Sequence, residues 1–187
     1  MVKKAIVLLA DGFEDVEAVT PIDYLRRAGV EVITASISNS LTVTSRWGGI
    51  KLIADNTLTE LALRGYSDFD AVIVPGGMTG AVNLAASKET SVLLNDMAAA
   101  GKLICAICAS PVIVLSPLGL LSGKKFTCYP GMEEKTVDGQ WLNDRVVVDG
   151  NIITSRAAGT SGEFAVAVIS KLFDETAGKK MADMVLL

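Results

Sequence analysis

Short apolar runs alternate with stretches of helical periodicity along this chain. Mostly apolar segments of strand length occupy residues 5–9, 30–36, 71–74 and 103–107. Between them, residues 14–28 and 89–100 place apolar side chains at helical spacing, and a glycine follows each of these two segments as a stop signal. Buried strands that are separated by amphipathic helices predict a parallel sheet covered on both faces.

The last third of the chain adds a hairpin and two more helices to this pattern. Residues 145–148 and 152–155 flank an Asp-Gly dipeptide, which is typical of a tight turn between antiparallel strands. Helical periodicity then covers residues 160–173 and 176–186. The predicted fold class is therefore α/β, with a mostly parallel sheet, helices on both faces and a small antiparallel hairpin.

Composition narrows the class of protein. A chain of 187 residues, half of them hydrophobic, supplies one well-buried core, so we expect a single domain over residues 1–187. The net charge of -4, from 17 basic and 21 acidic residues, gives no basic footprint for nucleic acid or an anionic membrane. Three cysteines, an odd number, favour free thiols in a reducing compartment, which predicts a cytoplasmic location.

Two apolar segments resemble targeting or membrane signals but are better explained as parts of the core. Residues 5–10 form an apolar run that is too short for a signal peptide. Residues 103–123 carry no charge, yet Pro111, Pro117 and Gly119 break this stretch into a strand, a short helix and a loop. We therefore expect no membrane span.

Candidate site residues follow three of the predicted strands. Glu17 lies shortly after the first strand, Gly76 and Gly77 come directly after residues 71–74, and Cys108 follows residues 103–107. Ligands of open parallel sheets bind at the carboxyl ends of strands, near the point where strand order reverses. If the three strands are neighbours, a carboxyl group, exposed backbone amides and a thiol converge there.

Each of these residues has a functional and a purely structural interpretation. Cys108 lies at a strand-to-helix junction, where a sharp turn exposes a nucleophile and the helix end favours a thiolate. Buried cysteines are more often small core residues, which is our expectation for Cys105 and Cys128. Glu17 is either a site carboxyl or an ordinary charge in the first turn of a helix. The two glycines form either an anion pocket or a simple tight turn.

Several familiar kinds of site are excluded by residue type and spacing. The chain contains no histidine, so a triad with an imidazole base cannot form. Cys105 and Cys108 have the spacing of a redox or zinc motif, but on an extended strand their Cα atoms lie about 10 Å apart and their side chains leave opposite faces. No dinucleotide or P-loop glycine motif is present. We expect no metal and no other cofactor.

Six short segments together resemble one protein family. They are ADGFEDVE at 10–17, RRAG at 26–29, VPGG at 74–77, AICA at 106–109, TSR at 154–156 and GT at 159–160. In order and spacing they resemble the ThiJ/PfpI superfamily, and within it the branch that contains the parkinsonism-associated protein deglycase and its bacterial homologues. The resemblance covers essentially the whole chain.

The resemblance implies a fold, an assembly and a set of site residues. It implies a flavodoxin-like three-layer sandwich and a homodimer. It further implies that Cys108 is oxidisable, that Glu17 is hydrogen-bonded to it, and that the amides of Gly77 and Ala109 form an oxyanion pocket. Arg46 is expected near the site of the partner subunit.

This chain departs from the family pattern close to the cysteine. Family members commonly carry a histidine after the segment at residues 125–128, where this chain has Tyr129, so a proton relay through imidazole is absent. Tyr129, Gly159 and Thr160 are candidates to support the site from behind. The peptidase-like branch has a histidine directly after the nucleophile, whereas Ala109 stands there in this chain, which disfavours proteolysis.

Two functions from different classes are consistent with these residues. The resemblance implies a cysteine-dependent enzyme that handles 2-oxoaldehydes such as methylglyoxal, or their adducts on proteins, in the manner of a glyoxalase or deglycase. The alternative is a redox-sensing or chaperone-like stress-response protein whose output is oxidation of Cys108. Both functions use one site, and neither requires a cofactor.

Overall fold

Eleven strands and six α-helices make up the computed structural model, which describes residues 2–47, 49–136 and 138–187. The strands are β1 (Lys4–Leu9), β2 (Glu31–Ser36), β3 (Thr42–Thr44), β4 (Lys51–Ile53), β5 (Asn56–Thr57), β6 (Ala71–Val74), β7 (Leu103–Ile107), β8 (Lys125–Phe126), β9 (Gln140–Trp141), β10 (Val146–Asp149) and β11 (Ile152–Ser155). The helices are α1 (Asp15–Arg27), α2 (Leu58–Ala62), α3 (Met78–Ala86), α4 (Lys88–Ala99), α5 (Ser161–Leu172) and α6 (Glu175–Val185).

Seven of the strands form the central sheet in the order β10-β11-β7-β6-β1-β2-β5. Every neighbouring pair is parallel except β10 and β11, which form the antiparallel hairpin. The mostly parallel sheet and the hairpin predicted from the sequence are thus confirmed. Strand order reverses between β1 and β6, because the chain first runs outward from β1 through β2 and then returns to β6.

Two apolar cores lie on the two faces of the sheet, because successive side chains of a strand point to opposite faces. In β1, Ile6 and Leu8 pack with residues of α2, α3 and α4, whereas Ala5, Val7 and Leu9 pack with residues of α1, α5 and α6. All five side chains are fully buried. This arrangement is the three-layer sandwich that the resemblance implied.

The predicted segments agree with the observed elements to within one residue at each end. The features that were not predicted are α3, the β3–β4 hairpin, the short elements β5 and α2, and strand β9, which pairs with β8. The helix expected after Cys108 is also brief, since a π-helical turn at Pro111–Leu115 leads at once into a 3-10 turn at Ser116–Leu118. No helix in the described part of the chain has both the length and the apolar character needed to cross a membrane.

Candidate active site

The three strands that precede the candidate residues are neighbours in the sheet. β7 pairs with β6, and β6 pairs with β1, so their carboxyl ends meet beside the point where strand order reverses. Cys108, Glu17 and Gly77 line one cavity there, of about 440 Å³. The carboxyl group, the backbone amides and the thiol therefore meet, as expected for neighbouring strands.

Cys108 lies at a strained turn directly after β7. Its φ angle is 67°, a left-handed conformation that non-glycine residues rarely adopt and that costs of order 1–3 kcal/mol. Two backbone hydrogen bonds hold the turn: the amide of Cys108 donates to the carbonyl of Ser155 at 2.9 Å, and the amide of Tyr129 donates to the carbonyl of Cys108 at 2.8 Å. The thiol is thereby directed out of the sheet into the cavity, which is the elbow geometry predicted from the sequence.

Glu17 meets the thiol from α1. The carboxylate of Glu14 accepts from the amide of Glu17 at 2.7 Å and so caps the first turn of this helix. The Glu17 side chain is almost fully buried, hydrogen-bonds with Cys108, and accepts from the amide of Gly76 at 3.0 Å. A second backbone hydrogen bond comes from Ala158. These buried contacts exceed what a simple helix-end charge requires.

Gly76 and Gly77 are glycines for two different steric reasons. A Cβ atom on Gly76 would collide with the carboxyl oxygen of Glu17 and would lie 2.6 Å from the Cβ of Cys108. Gly77 has φ of 84° and precedes the first turn of α3. The amides of Gly77 and Ala109 both hydrogen-bond to the Cys108 sulfur. A pair of donors therefore surrounds the place where negative charge develops during attack by the thiol.

Burial dominates the ionisation of both reactive groups. It raises the pKa of Glu17 to about 7, and the neighbouring Glu14 carboxylate adds to the rise. Burial, followed by the negative charge of Glu17, raises the pKa of the Cys108 thiol to about 12, although the amides of Gly77 and Ala109 act in the opposite direction. The sequence predicted that the helix end would lower the pKa of Cys108. This prediction is wrong while Glu17 is ionised, because burial and the Glu17 charge raise that pKa. Above about pH 7 the pair carries one proton and one negative charge between its two groups.

The other two cysteines are core residues, as predicted. Cys105 and Cys128 are fully buried, and all three thiols are free. Burial raises the pKa of Cys128 to about 12, and that of Cys105 lies higher still. Only Cys108 combines partial exposure with a place in the cavity.

Arg46 lies at the cavity of its own chain. Its amide donates to the carbonyl of Phe13 at 2.9 Å, and its guanidinium carbon lies 4.6 Å from the centre of the Trp47 ring, within the range of a cation–π contact. Gly48, which follows Trp47, lies outside the described residues. The contribution of Arg46 to a partner subunit's site stays a prediction.

Tyr129, Thr160 and Gly159, which were predicted to support the site, lie at different distances from the cavity. Tyr129 lines the cavity with about half of its surface exposed. The Thr160 hydroxyl lies behind the site, 2.7 Å from the Ser155 hydroxyl, and so stabilises the segment that carries Ala158. The carbonyl of Gly159 accepts from Arg145, away from the thiol.

Sequence reasoning missed half of the cavity wall. The residues that line the cavity without having been predicted are Glu14, Trp47, Met78, Met132, Ala157 and Ala158. Met132 is the last residue of a Tyr-Pro-Gly-Met segment, whose proline and glycine are a turn signal in the sequence. The remaining residues carried no local signal. Within the described parts of the chain, no three His, Cys, Asp or Glu side chains group as a metal site would need.

A thiol at an elbow, a carboxyl partner and a pocket of amides at a sheet switch point define a class of α/β sandwich proteins with a central cysteine. This chain belongs to the DJ-1/PfpI family, whose family model matches residues 3–171. It is 42% identical over 182 residues to protein DJ-1 homolog B of Arabidopsis thaliana, a match that covers 97% of this chain and 41% of the plant protein. The chain spans only about two fifths of the length of such plant relatives.

Two further relatives match over nearly their whole length. A Caenorhabditis elegans protein named glutathione-independent glyoxalase DJR-1.2 is 31% identical over 173 residues, which covers 91% of this chain and 89% of that protein. The solved structure of oxidized Toxoplasma gondii DJ-1 is 36% identical, with a TM-score of 0.93, and the match covers 99% of this chain and 98% of that one. The flavodoxin-like fold is therefore shared with solved family members.

Proposed function

We propose that this protein converts 2-oxoaldehydes to 2-hydroxy acids, with Cys108 as nucleophile and Glu17 as proton carrier. The observation that carries the proposal is the hydrogen-bonded Cys108–Glu17 pair at the floor of a cavity, with the Gly77 and Ala109 amides directed at the sulfur. The glyoxalase name of the nematode relative supports the same reaction class. Aldehyde adducts on proteins are a second substrate form with the same reactive carbon.

The chemistry balances without an external oxidant or cofactor. The sulfur of Cys108 forms a bond with the aldehyde carbon, and the carbonyl oxygen becomes an oxyanion beside the two amides. Glu17 then carries the proton from the aldehyde carbon to the neighbouring carbonyl group, which leaves a thioester next to a secondary alcohol. Water breaks the carbon–sulfur bond, releases the 2-hydroxy acid and restores the thiol. One carbon is oxidised and its neighbour is reduced by the same two electrons.

The protonation state of the pair suits this sequence of steps. With one proton shared between Glu17 and Cys108, the negative charge resides on sulfur whenever the carboxyl group holds the proton. Repulsion between the two charges is then absent, and the amides of Gly77 and Ala109 stabilise the thiolate. Because the raised pKa of the thiol keeps the proton on sulfur in the resting pair, Glu17 receives that proton as the sulfur attacks, and so acts as the base in place of a histidine.

Turnover of methylglyoxal tests the proposal. We expect the wild-type protein to form the 2-hydroxy acid, and Cys108→Ser to lose at least about a hundredfold in kcat/KM because the nucleophile is gone. Cys105→Ala is the matched control, since this thiol is fully buried and does not line the cavity. The proposal is overturned if the wild-type protein and Cys108→Ser form the product at equal rates.

A redox role for Cys108 is the second candidate. The observation that favours it is that the same amides and the same carboxyl group would stabilise a sulfinate anion, while Cys105 and Cys128 are enclosed. The Toxoplasma gondii relative was solved in an oxidized form. If dilute peroxide converts Cys108 to the sulfinic acid while no aldehyde is turned over, the redox role takes precedence.

A homodimer is part of the proposal. Val19 of α1 and Ile53 of β4 line one depression beside the Arg26–Asp55 ion pair, and Ile53 is 78% exposed. Val16, one turn earlier on α1, is also exposed. An apolar face of this kind on a single chain is typical of a subunit interface.

A further inference from the structure

A tight turn forms one wall of the active-site cavity. In residues 129–132 the amide of Met132 donates to the carbonyl of Tyr129 at 3.1 Å, Pro130 occupies the second position, and Gly131 has φ of 82° at the third. These are the marks of a type II turn, in which proline and glycine fix the backbone. Because the amide of Tyr129 also donates to the carbonyl of Cys108, the turn is fastened to the elbow itself.

The turn places two large side chains on the cavity. Met132 is 5% exposed and lies inside, whereas Tyr129 is about half exposed and lies nearer the solvent. Met78, the first residue of α3, contributes a second thioether to the same cavity. Beside the charged side chains of Glu14, Glu17 and Arg46, the cavity thus has a part lined by aromatic and thioether groups, which accommodate apolar and aromatic ligands.

The volume of the cavity is larger than a small aldehyde occupies. A volume of about 440 Å³ lies in the range of sites that bind drug-sized ligands. Methylglyoxal, whose substituent is a single methyl group, fills only a small part of this volume. A larger substituent on the same reactive carbons would reach the wall.

We propose that the turn at residues 129–132, together with Met78, is a pocket for the substituent of the substrate. The proposal rests on the function proposed above and names its substrate class: 2-oxoaldehydes that carry a bulky apolar or aromatic group. A charged substituent is disfavoured, because Arg46 already lies over Trp47 and the carboxyl groups of Glu14 and Glu17 face the same cavity. Met132 and Tyr129 act as specificity determinants and take no part in the bond changes.

A series of alkyl glyoxals tests this pocket directly. From methylglyoxal through propylglyoxal to cyclohexylglyoxal, we expect kcat/KM to rise about fourfold for each added methylene group that is buried. The rate of each aldehyde with free cysteine corrects for intrinsic reactivity. Glyoxylate, which carries a carboxylate in place of the alkyl group, is expected to be the poorest substrate. A corrected series that is flat or falls with size, or a preference for glyoxylate, overturns the pocket.

Substitutions at residues 129–132 test whether this turn determines the preference for large apolar substituents. Met132→Gln and Tyr129→Ala should each lower the ratio of kcat/KM for cyclohexylglyoxal over methylglyoxal by at least about tenfold, whereas Met132→Leu and Tyr129→Phe should restore most of it. Met184→Ala is the matched control, since this exposed methionine lines a different cavity. Thermal melting verifies that each variant is folded. Unchanged ratios in both disruptive variants would refute the assignment.

Alkylation separates failure of the pocket from failure of the proposed function. N-phenyl iodoacetamide and iodoacetamide react with Cys108 without any turnover. We expect the phenyl reagent to be at least about tenfold faster relative to its rate with glutathione, and this advantage to disappear in Met132→Gln. A phenyl advantage without aldehyde turnover would keep the pocket and reject the enzyme. Turnover without a phenyl advantage would keep the enzyme and reject the pocket.

Discussion

Cys108 and Glu17 determine each other's charge. Both are withdrawn from water, and both gain stability from backbone amides. The negative charge of Glu17 makes ionisation of the Cys108 thiol less favourable, whereas the hydrogen bond with Cys108 favours the Glu17 carboxylate. Above about pH 7 the pair therefore carries a single negative charge. This coupling makes the reactivity of the thiol depend on a residue that lies on a different element.

Alkylation with iodoacetamide should distinguish the three cysteines. We expect Cys108 to react at least about tenfold faster than Cys105 or Cys128, because only its sulfur reaches the cavity. The rate should rise with pH through about 7, where the pair loses its first proton. In Glu17→Leu the carboxyl group that ionises near pH 7 is absent, so the midpoint becomes that of the buried thiol alone and should rise by about one to two units. Mass spectrometry of labelled peptides measures all three rates, and equal labelling of Cys105 or Cys128 would contradict the assignment.

The raised pKa of Glu17 also predicts a pH-dependent stability. Between its ordinary value of 4.5 and about 7, the folded protein keeps the carboxyl proton that the unfolded chain has lost. The free energy of unfolding of the wild type should therefore fall with rising pH across this window, relative to Glu17→Gln, and then level off. The shift corresponds to about 3 kcal/mol. Urea denaturation of both proteins at about pH 4.5 and about pH 8 measures this difference.

An exposed carboxylate serves as the control for this effect. Glu134→Gln changes the same chemical group at the surface and should parallel the wild type at both pH values. If Glu17→Gln also runs parallel to the wild type, the carboxyl group is not held neutral by burial.

At the scale of elements, the connection from β6 to α3 is the tightest part of the site. Gly76→Ala would place a methyl group 2.6 Å from the Cβ of Cys108 and 3.0 Å from the carbonyl oxygen of Ile107, so backbone must move. We expect a loss of about 1–3 kcal/mol in the free energy of unfolding, together with slower alkylation of Cys108. Gly159→Ala, where a methyl group would meet nothing within 4 Å, should leave both measurements near the wild-type values. Equal behaviour of the two variants would argue against close packing at Gly76.

At the scale of the whole molecule, the apolar face formed by α1 and β4 leads to a prediction about assembly. We expect sedimentation to show a homodimer at micromolar concentration. Ile53→Asp should produce monomers, since a desolvated, unpaired charge at an interface costs several kcal/mol. Leu63→Asp is the control, because Leu63 is 87% exposed but lies on the loop after α2. A wild-type protein that sediments as a monomer would remove the dimer and the contribution of Arg46 to a partner's site.

Elements with a local pattern of apolar and polar residues could be predicted from the amino-acid sequence. Buried parallel strands are apolar throughout, so β6 and β7 could be placed to the residue, and the elbow at Cys108 followed from the end of β7. The β3–β4 hairpin escaped notice, since its strands have three residues each and exposed positions leave little alternation. Helix α3 was not predicted either, because Gly80 lies inside it and glycine disfavours a helix. This glycine is needed because α3 packs there against the backbone of Phe13.

The residues that surround the Cys108 thiol could not be predicted in this way, because they meet only in the folded chain. Trp47, Met132 and Ala158 come from segments far apart in the chain, and their approach to Cys108 depends on how the loops beyond the sheet pack. The direction of the Cys108 pKa was likewise decided in three dimensions. The helix end suggested by the sequence is short, whereas the thiol is partly withdrawn from water beside the fully buried Glu17. The cost of desolvating two neighbouring charges exceeds the effect of a weak helix dipole.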